Sequence, residues 1–516
     1  IAGLELEMPG PSDQNAKRIV NAVKAGELEE SKLDTCVERI LKVIYSYVEH
    51  RDPNAVFDRD ADHIIATNME TECAVLLQNN GILPVSPDRK VCYIGEFAEK
   101  PRYQGGGSSH INSSKVTSAL DSAKAKGRNV TYVRGFSSTE DLVENDEIAK
   151  ATKAAQEAEI AIIFAGLPDR FESEGYDRKT MALPECQLKM IQEVVKVQPN
   201  TVVVLHNGSP VECPWADQVS AILEMYLGGQ GVGEATDQLL YGEANPSGHL
   251  AETFPYKLED NPSYLNFPGD GKTVDYAEGI YVGYRYYDKK KMPVRWAFGH
   301  GLSYTSFAMS NIRVDQNTLD DDGKVTVSVD VTNQGKVAGK EVVQLYIKDK
   351  NGTLDRPEKE LKGFEKVSLN PGETKTVSLC IDARALSYYS ESLQDWFAPS
   401  GTYELLIGDS SDNILQCTEI SFSTRKVLPL LIDRTTTIGE LLADERTAPC
   451  IREIMSNDHS GFLGANEKDD SPEKAVSNEM LAAMVNGLPI KSMASFGIIS
   501  GDEIDSVVEK LKACVK

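Results

Sequence analysis

The stretch EIAIIFAG (159–166) decides the fold. It is apolar at every position after the first residue, not at every second one. A strand of that kind is covered on both faces. Four more runs resemble it: KVCYIG (90–95), NVTYVRG (129–135), TVVVLHNG (201–208) and AILEMYLGG (221–229). Helical patterns fall between them, among them EIAKATKAAQEA (147–158) and LPECQLKMIQEVVKVQ (183–198). Buried strands alternating with helices predict a mainly parallel sheet sandwiched by helices. In such sheets ligand-contacting residues stand beyond the carboxyl ends of the strands. FESEGYDRKTMAL (171–183) occupies that position after EIAIIFAG and carries Glu172, Glu174, Asp177 and Arg178.

Outward from this α/β unit, placed at 51–307, the patterns change. Residues 1–50 read as a loop and two amphipathic helices, the first capped by Ser12 and stopped by Gly26; these helices need something further to cover. Residues 308–425 alternate with period two, as in KVTVSVDVTNQG and GTYELLIGD, and are cut by turns such as NPGET. That predicts an antiparallel β-sandwich. The acidic run Asp320, Asp321, Asp322 is read there as a solvated turn. Residues 426–516 return to amphipathic helix behind a Thr cap, and the polar segment GANEKDDSPEK (464–474) is expected to be mobile.

Composition narrows the function classes. The 516 residues exceed one compact core, so several domains are expected. A formal charge of −25 leaves no basic excess for a nucleic acid or an anionic membrane. No apolar run spans a bilayer. The nine cysteines form no CxxC pair, so they are read as small core residues in a reducing compartment, the cytoplasm, with no disulfide framework.

The glycines of GGQGVGEATDQLLYG (228–242) miss the dinucleotide spacing, because Glu234 stands where a glycine is required; a tight strand-to-helix turn is the better reading. RYQGGGSSH (102–110) is different. Its glycines let the backbone approach something closely, and Ser108 and Ser109 then offer hydroxyls. The seven histidines lack metal-ligand spacing, so no metal or cofactor is expected. His206 and His300 read as structural hydrogen-bonding residues. What remains is the carboxylates. A general acid acting on a glycosidic oxygen is a carboxyl presented on a loop, and its partner carboxylate comes from elsewhere, since loop neighbours do not flank a sugar from both sides.

The segment running from ESEGYDRKTMALPECQ through NTVVVLHNGSPVECPW (172–215) resembles the second domain of family 3 glycoside hydrolases, the β-glucosidase group. So do GGGSS (105–109), YLGGQGVGEATDQLLYGEANPSGHLAETFP (226–255) and YAEGIYVGYRYYDKKKMPVRWAFGHGLSYTSF (276–307). The resemblance implies a fibronectin type III-like sandwich and a small helical C-terminal extension after the α/β domain. It implies Glu174 as acid/base with Glu172 as fallback, Ser108, then Ser109, and Glu172 as sugar contacts, and Asp177 and Arg178 as shapers of the loop. The family's nucleophile is an aspartate on an N-terminal (β/α)8 barrel, just before a stretch like GLELEMPG (3–10). Residues 1–50 therefore resemble the C-terminal end of that barrel, with Glu5 and Glu7 at structural positions and the nucleophile outside this chain.

The expected function is part of a retaining exo-acting β-glucosidase. The expected partners are a β-glucoside or oligosaccharide and the barrel, on the same polypeptide or on a second chain, with self-association left open. The alternatives are a non-catalytic carbohydrate-binding or assembly subunit, or a β-xylosidase or β-N-acetylglucosaminidase of the same family.

Overall fold

The computed structural model describes residues 3–8, 10, 13–352, 354–456 and 472–515, with side chains omitted for 472–478. The expected cap Ser12 and most of the polar segment, 464–471, lie outside the described residues.

Two helices open the chain, α1 (Asp13–Lys24) and α2 (Glu30–His50), and neither buries a single residue. Val43 and Tyr47 on α2 are 72% and 67% exposed, so the apolar face expected from the sequence stands open. Glu5 pairs with Arg39 of α2 and Glu7 accepts from Asn15 of α1. Helix α3 (Arg59–Cys73) is capped by Asp58, whose side chain accepts from the amides of Asp60 and Ala61. It buries His63, Thr67, Glu70 and Thr71 on one side. Ile64, Ile65 and Met69 on the other side are exposed.

The α/β unit follows: β1 (Val75–Asn79), β2 (Val91–Ile94), α4 (Ala119–Ala125), β3 (Val130–Val133), α5 (Asn145–Glu157), β4 (Ile160–Gly166), α6 (Glu185–Val195), β5 (Thr201–His206), β6 (Ala221–Glu224) and α7 (Val232–Leu240). The strand order is β1-β6-β5-β4-β2-β3, with β1 antiparallel to β6 and the rest parallel. Strand β4 shows why its sequence does not alternate. Ala161, Ile163 and Ala165 face a core with Ala151 and Ala155 of α5 and Met190 and Val194 of α6. Ile160, Ile162 and Phe164 face a second core with Leu120 of α4 and Leu239 of α7.

The glycine-rich run before and into α7 is a packing seam for α3 and the start of α4. A Cβ at Gly228 would stand 2.4 Å from the Glu70 carboxyl carbon, one at Gly231 2.3 Å from Thr67 Oγ1, and one at Gly233 2.3 Å from the Ser118 backbone.

Helix α8 (Tyr284–Lys290) and FGHGLSY (298–304) lead into the sandwich. His300 hydrogen-bonds the Leu77 carbonyl at 2.9 Å, as a structural histidine should. Gly299 (φ +83°) lies against Gln344, whose Nε2 donates to its carbonyl. The sandwich elements are β7 (Phe307–Val314), β8 (Thr318–Asp320), β9 (Lys324–Asn333), β10 (Gly339–Asp349), β11 (Glu360–Leu369), β12 (Thr374–Asp382), α9 (Ala383–Leu386), β13 (Tyr388–Ser390), β14 (Asp395–Phe397), β15 (Gly401–Gly408) and β16 (Ile414–Ser423). Sheets β11-β10-β15-β16-β8 and β12-β9-β7 enclose a core to which β9 contributes Val325, Val327, Val329 and Val331. The acidic run is not a free turn: Asp320 ends β8, and Asp321 accepts from Thr424 Oγ1 (2.7 Å) and the Arg425 amide (2.8 Å).

The tail packs α10 (Ile438–Ala443), α11 (Ala448–Ser456), α12 (Pro472–Asn486) and α13 (Ile504–Val515) around Ile438, Leu441, Ile451 and Leu511. Thr437 caps α10 in a reciprocal box with Glu440. One expectation fails here. Cys450 and Cys514, 64 residues apart, are joined by a disulfide linking α11 to α13. The core assignment of the cysteines holds for Cys92, Cys186 and Cys213, whereas Cys73, Cys380 and Cys417 are exposed. Among the described residues no helix is long and apolar enough to cross a membrane.

Candidate active site

The loop after β4 begins at a pinned strand end. The Gly166 amide donates to Gln187 Oε1 and its carbonyl accepts from Gln187 Nε2, both at 2.9 Å. A side chain at Gly166 would stand 2.0 Å from the His206 carbonyl oxygen, so the two strand ends meet only because this residue has none. Arg102, buried at 6% exposure, then holds the loop. Its guanidinium donates to the Leu167 carbonyl (2.6 Å), the Glu172 carbonyl (2.7 Å) and Glu172 Oε2 (2.8 Å).

Glu172 is thereby committed. Besides Arg102, its carboxylate accepts from the Gly208 amide at 2.8 Å and from the Ser209 hydroxyl. The fallback acid and expected sugar contact is a fastener between the loops that follow β4 and β5. Ser209 also accepts from Arg178 Nη1 at 2.7 Å.

Glu174 points elsewhere and is exposed. Its Oε2 accepts from the Ser108 amide at 2.5 Å. The glycines of the 105–107 stretch are spent on this approach. A Cβ at Gly106 would meet Ser173 Oγ at 2.5 Å, and one at Gly107 (φ +88°) would meet Glu174 Cβ at 2.4 Å. What those glycines approach is the acidic loop itself. Ser108 and Ser109 sit exposed beside Glu174 on a single 3-10 turn, Gly107–Ser109. The bonds from Ser108 hold the Glu174 carboxyl below its usual range. That runs against a carboxyl ready to be protonated near neutral pH, and its physical cause is the donor beside an otherwise solvated group. Asp177 is exposed and makes the loop's outer edge.

Beneath the loop lies a group of buried acids that the sequence reading missed. Glu224, at the end of β6, has no exposed surface and accepts from Asn207 Nδ2 (2.9 Å) and the Tyr226 amide (2.8 Å). Burial pushes its carboxyl up to about 8. Burial, with Glu224 nearby, pushes Glu70 up to about 8, and burial raises Glu252 to about 7. Tyr226 Oη donates to Glu252 at 3.1 Å. The signal was available: Glu224 is the one charge inside an apolar strand. His206 is buried, but among the described residues neither ring nitrogen has a hydrogen-bond partner. It stacks on Phe164 at 6.4 Å, so it is structural by packing rather than by hydrogen bonding. Among the described residues, no group of three His, Cys, Asp or Glu side chains could hold a metal ion.

Residues 74–284 match the model of the glycosyl hydrolase family 3 C-terminal domain, and residues 341–411 match a fibronectin type III-like domain. The chain is 44% identical to thermostable beta-glucosidase B of Acetivibrio thermocellus, over 99% of this chain and 67% of that one. It is 37% identical to exo-alpha-(1->6)-L-arabinopyranosidase of Bifidobacterium breve, over 95% of this chain and 65% of that one. The crystal structure of the Bifidobacterium adolescentis GH3 beta-glucosidase superposes with a TM-score of 0.79 at 37% identity, covering 87% of this chain and 66% of that one. The chain thus spans about two thirds of the length of these relatives.

Proposed function

We propose, since the chain belongs to glycoside hydrolase family 3, that it carries the proton-transferring half of a retaining exo-acting β-glycosidase, with Glu174 as general acid and base. The observation that carries this is the division of labour in one loop. Glu172 is locked by Arg102, Gly208 and Ser209, while Glu174 stands exposed at the rim beside Ser108. A carboxylate fastened by three donors, one of them a buried guanidinium, has little freedom to deliver a proton; an exposed one held only by Ser108 has more.

The reaction runs in two displacements. Glu174 gives its proton to the glycosidic oxygen while an aspartate, supplied by a barrel outside this chain, attacks the anomeric carbon. The C–O bond breaks and a glycosyl-aspartate ester forms. Glu174, now ionised, takes a proton from water, whose oxygen attacks the anomeric carbon and releases the aspartate. The two carboxyls must stand ~5 to 5.5 Å apart. An ionised aspartate at that distance, together with exclusion of water, raises the Glu174 carboxyl from its present depressed state. Ser108 and Ser109 contact the sugar, and Glu172 positions the loop. The barrel docks on the open apolar faces of α1, α2 and α3, on the same polypeptide or as a second chain.

A terminal β-D-glucosyl residue is the substrate that most of the similar proteins' names favour. We take the glycone to be chosen largely outside this chain, a reading supported by an arabinopyranosidase among the similar proteins.

The test is Glu174→Gln in the barrel-containing enzyme. Turnover of alkyl or oligosaccharide glucosides should fall roughly 10²- to 10⁴-fold, and that of aryl glucosides with good leaving groups far less. Equal loss on both removes Glu174 from the acid role. Sugar binding without turnover in the reconstituted protein would favour a non-catalytic carbohydrate-binding subunit.

A further inference from the structure

A cavity of about 650 Å³ opens on the far side of Ser209 from Glu172, between the end of the acidic loop and the segment leading into α8. Arg178, Ser209, Glu252, Thr253, Tyr284 and Phe298 are among its lining residues; Glu172, Glu174, Ser108 and Ser109 are not. It is therefore separate from the exposed rim that carries Glu174 and Ser108. Its volume lies within the roughly 300 to 1,000 Å³ of small-molecule sites.

The chemistry of the lining is specific. Arg178 spends Nη1 on Ser209. Its Nε and Nη2 are buried and, among the described residues, have no hydrogen-bond partner. Those two nitrogens form one edge of the guanidinium, the edge that grips two acceptors side by side. A buried donor without a partner costs free energy, and here two lie on one edge. The Thr253 hydroxyl is also buried without a partner. Tyr284 and Phe298 stack at 4.8 Å between ring centroids and offer apolar ring surface.

Charge selects among the acceptors. Glu172, Glu252 and Glu212 already act on the Arg178 charge, and Glu278 adds another carboxyl to the lining. An anionic ligand would meet these carboxylates and a chain of formal charge −25. A neutral ligand with two adjacent hydroxyl oxygens would satisfy that edge without the repulsion, once the Arg178 side chain turns it into the cavity. Its hydroxyl hydrogens find an acceptor in Glu252, and its C–H face finds the aromatic rings.

We infer that this cavity is a second carbohydrate site, which takes a neutral pyranoside by its vicinal hydroxyls on the side edge of Arg178. The site is independent of turnover at Glu174, so either assignment can fail alone. Because Ser209 bonds both Arg178 and Glu172, occupancy is linked to the acidic loop through one hydroxyl group.

The test is binding of cellobiose to this chain, by calorimetry and by saturation-transfer NMR, for wild type, Glu174→Gln, Arg178→Lys and Thr253→Val. Arg178→Lys keeps the charge but removes the two-donor edge. It should weaken binding roughly tenfold or more, by the loss of hydrogen bonds from a charged donor. Thr253→Val, nearly isosteric, should weaken binding severalfold and decides the matter if Arg178→Lys does not fold. Glu174→Gln should bind as wild type, and glucuronate should bind no tighter than cellobiose. No saturable binding of cellobiose by wild type, binding unchanged in Thr253→Val, preference for glucuronate, or loss in Glu174→Gln would each overturn the assignment.

Discussion

Stability should fall as pH rises from mildly acidic to neutral, and Glu224 should be a principal cause. Its carboxyl has no exposed surface and is raised from 4.5 to about 8. Between those values the native state keeps a proton that the unfolded chain has given up. Stability therefore declines with pH across that window and levels off above it. Each pH unit costs at most about 1.4 kcal/mol for one group, which sets a ceiling of ~5 kcal/mol over the window. The charged form is partly relieved by Asn207 Nδ2 and the Tyr226 amide, and opposed by Glu252 and Glu172. Glu224→Gln removes the titration while keeping the side-chain volume. Urea unfolding at pH 5, 6, 7 and 8, followed by tryptophan emission, reports on this domain through buried Trp215 and Trp296. The wild-type curve should lose about 2–4 kcal/mol relative to the variant between pH 5 and 8. Parallel profiles, or a wild type that gains stability toward pH 8, would refute the reasoning.

Other outcomes follow from particular contacts. Gly107→Ala places a Cβ 2.4 Å from Glu174 Cβ at φ +88°; the strain, of order 1–3 kcal/mol, should release the Ser108 amide from Glu174 and move the Glu174 titration toward the ordinary carboxylate value by NMR. Phe164→Ala empties a fully buried site between Tyr93 and His206 and should cost about 3–5 kcal/mol by urea unfolding. Reduction of the Cys450–Cys514 bond, which closes a 64-residue separation, should cost the helical tail about 2–4 kcal/mol while protection of sandwich amides in hydrogen exchange stays unchanged. Val43→Lys with Tyr47→Lys, both on the open face of α2, should leave this chain's melting temperature unaltered and abolish its association with a barrel in analytical ultracentrifugation.

The α/β unit was legible because β4 is apolar at every position and β5 is apolar between Thr201 and His206, and the sandwich because β9 alternates so regularly. Strand β1 was harder, since AVLLQ sits directly behind α3 and pairs antiparallel with β6, an arrangement that no local pattern announces. Glu174 was singled out through its loop, and its exposed position there was legible. The role of Glu172 was not, because the residue that fastens it, Arg102, lies 70 positions earlier. The carboxyls of Glu70, Glu224 and Glu252 owe their shifts to burial and to neighbouring carboxylates, Glu172 among them, which emerges only after the chain has folded. The Cys450–Cys514 bond eluded the sequence for the same reason: proximity came from packing of α11 on α13, not from spacing.

Helix α3 has two sides that answer to different neighbours. Inward, its approach to the turn before α7 is set at Gly231, where a Cβ would stand 2.8 Å from the Thr67 Cα and 2.9 Å from its amide nitrogen. Outward, it displays Ile64, Ile65 and Met69. A methyl added at Gly231 must push the α3 backbone away, and with it the outer strip. A residue that never meets an incoming domain can thus retune how that domain sits, so loss of assembly need not trace to a mutation at the contact itself.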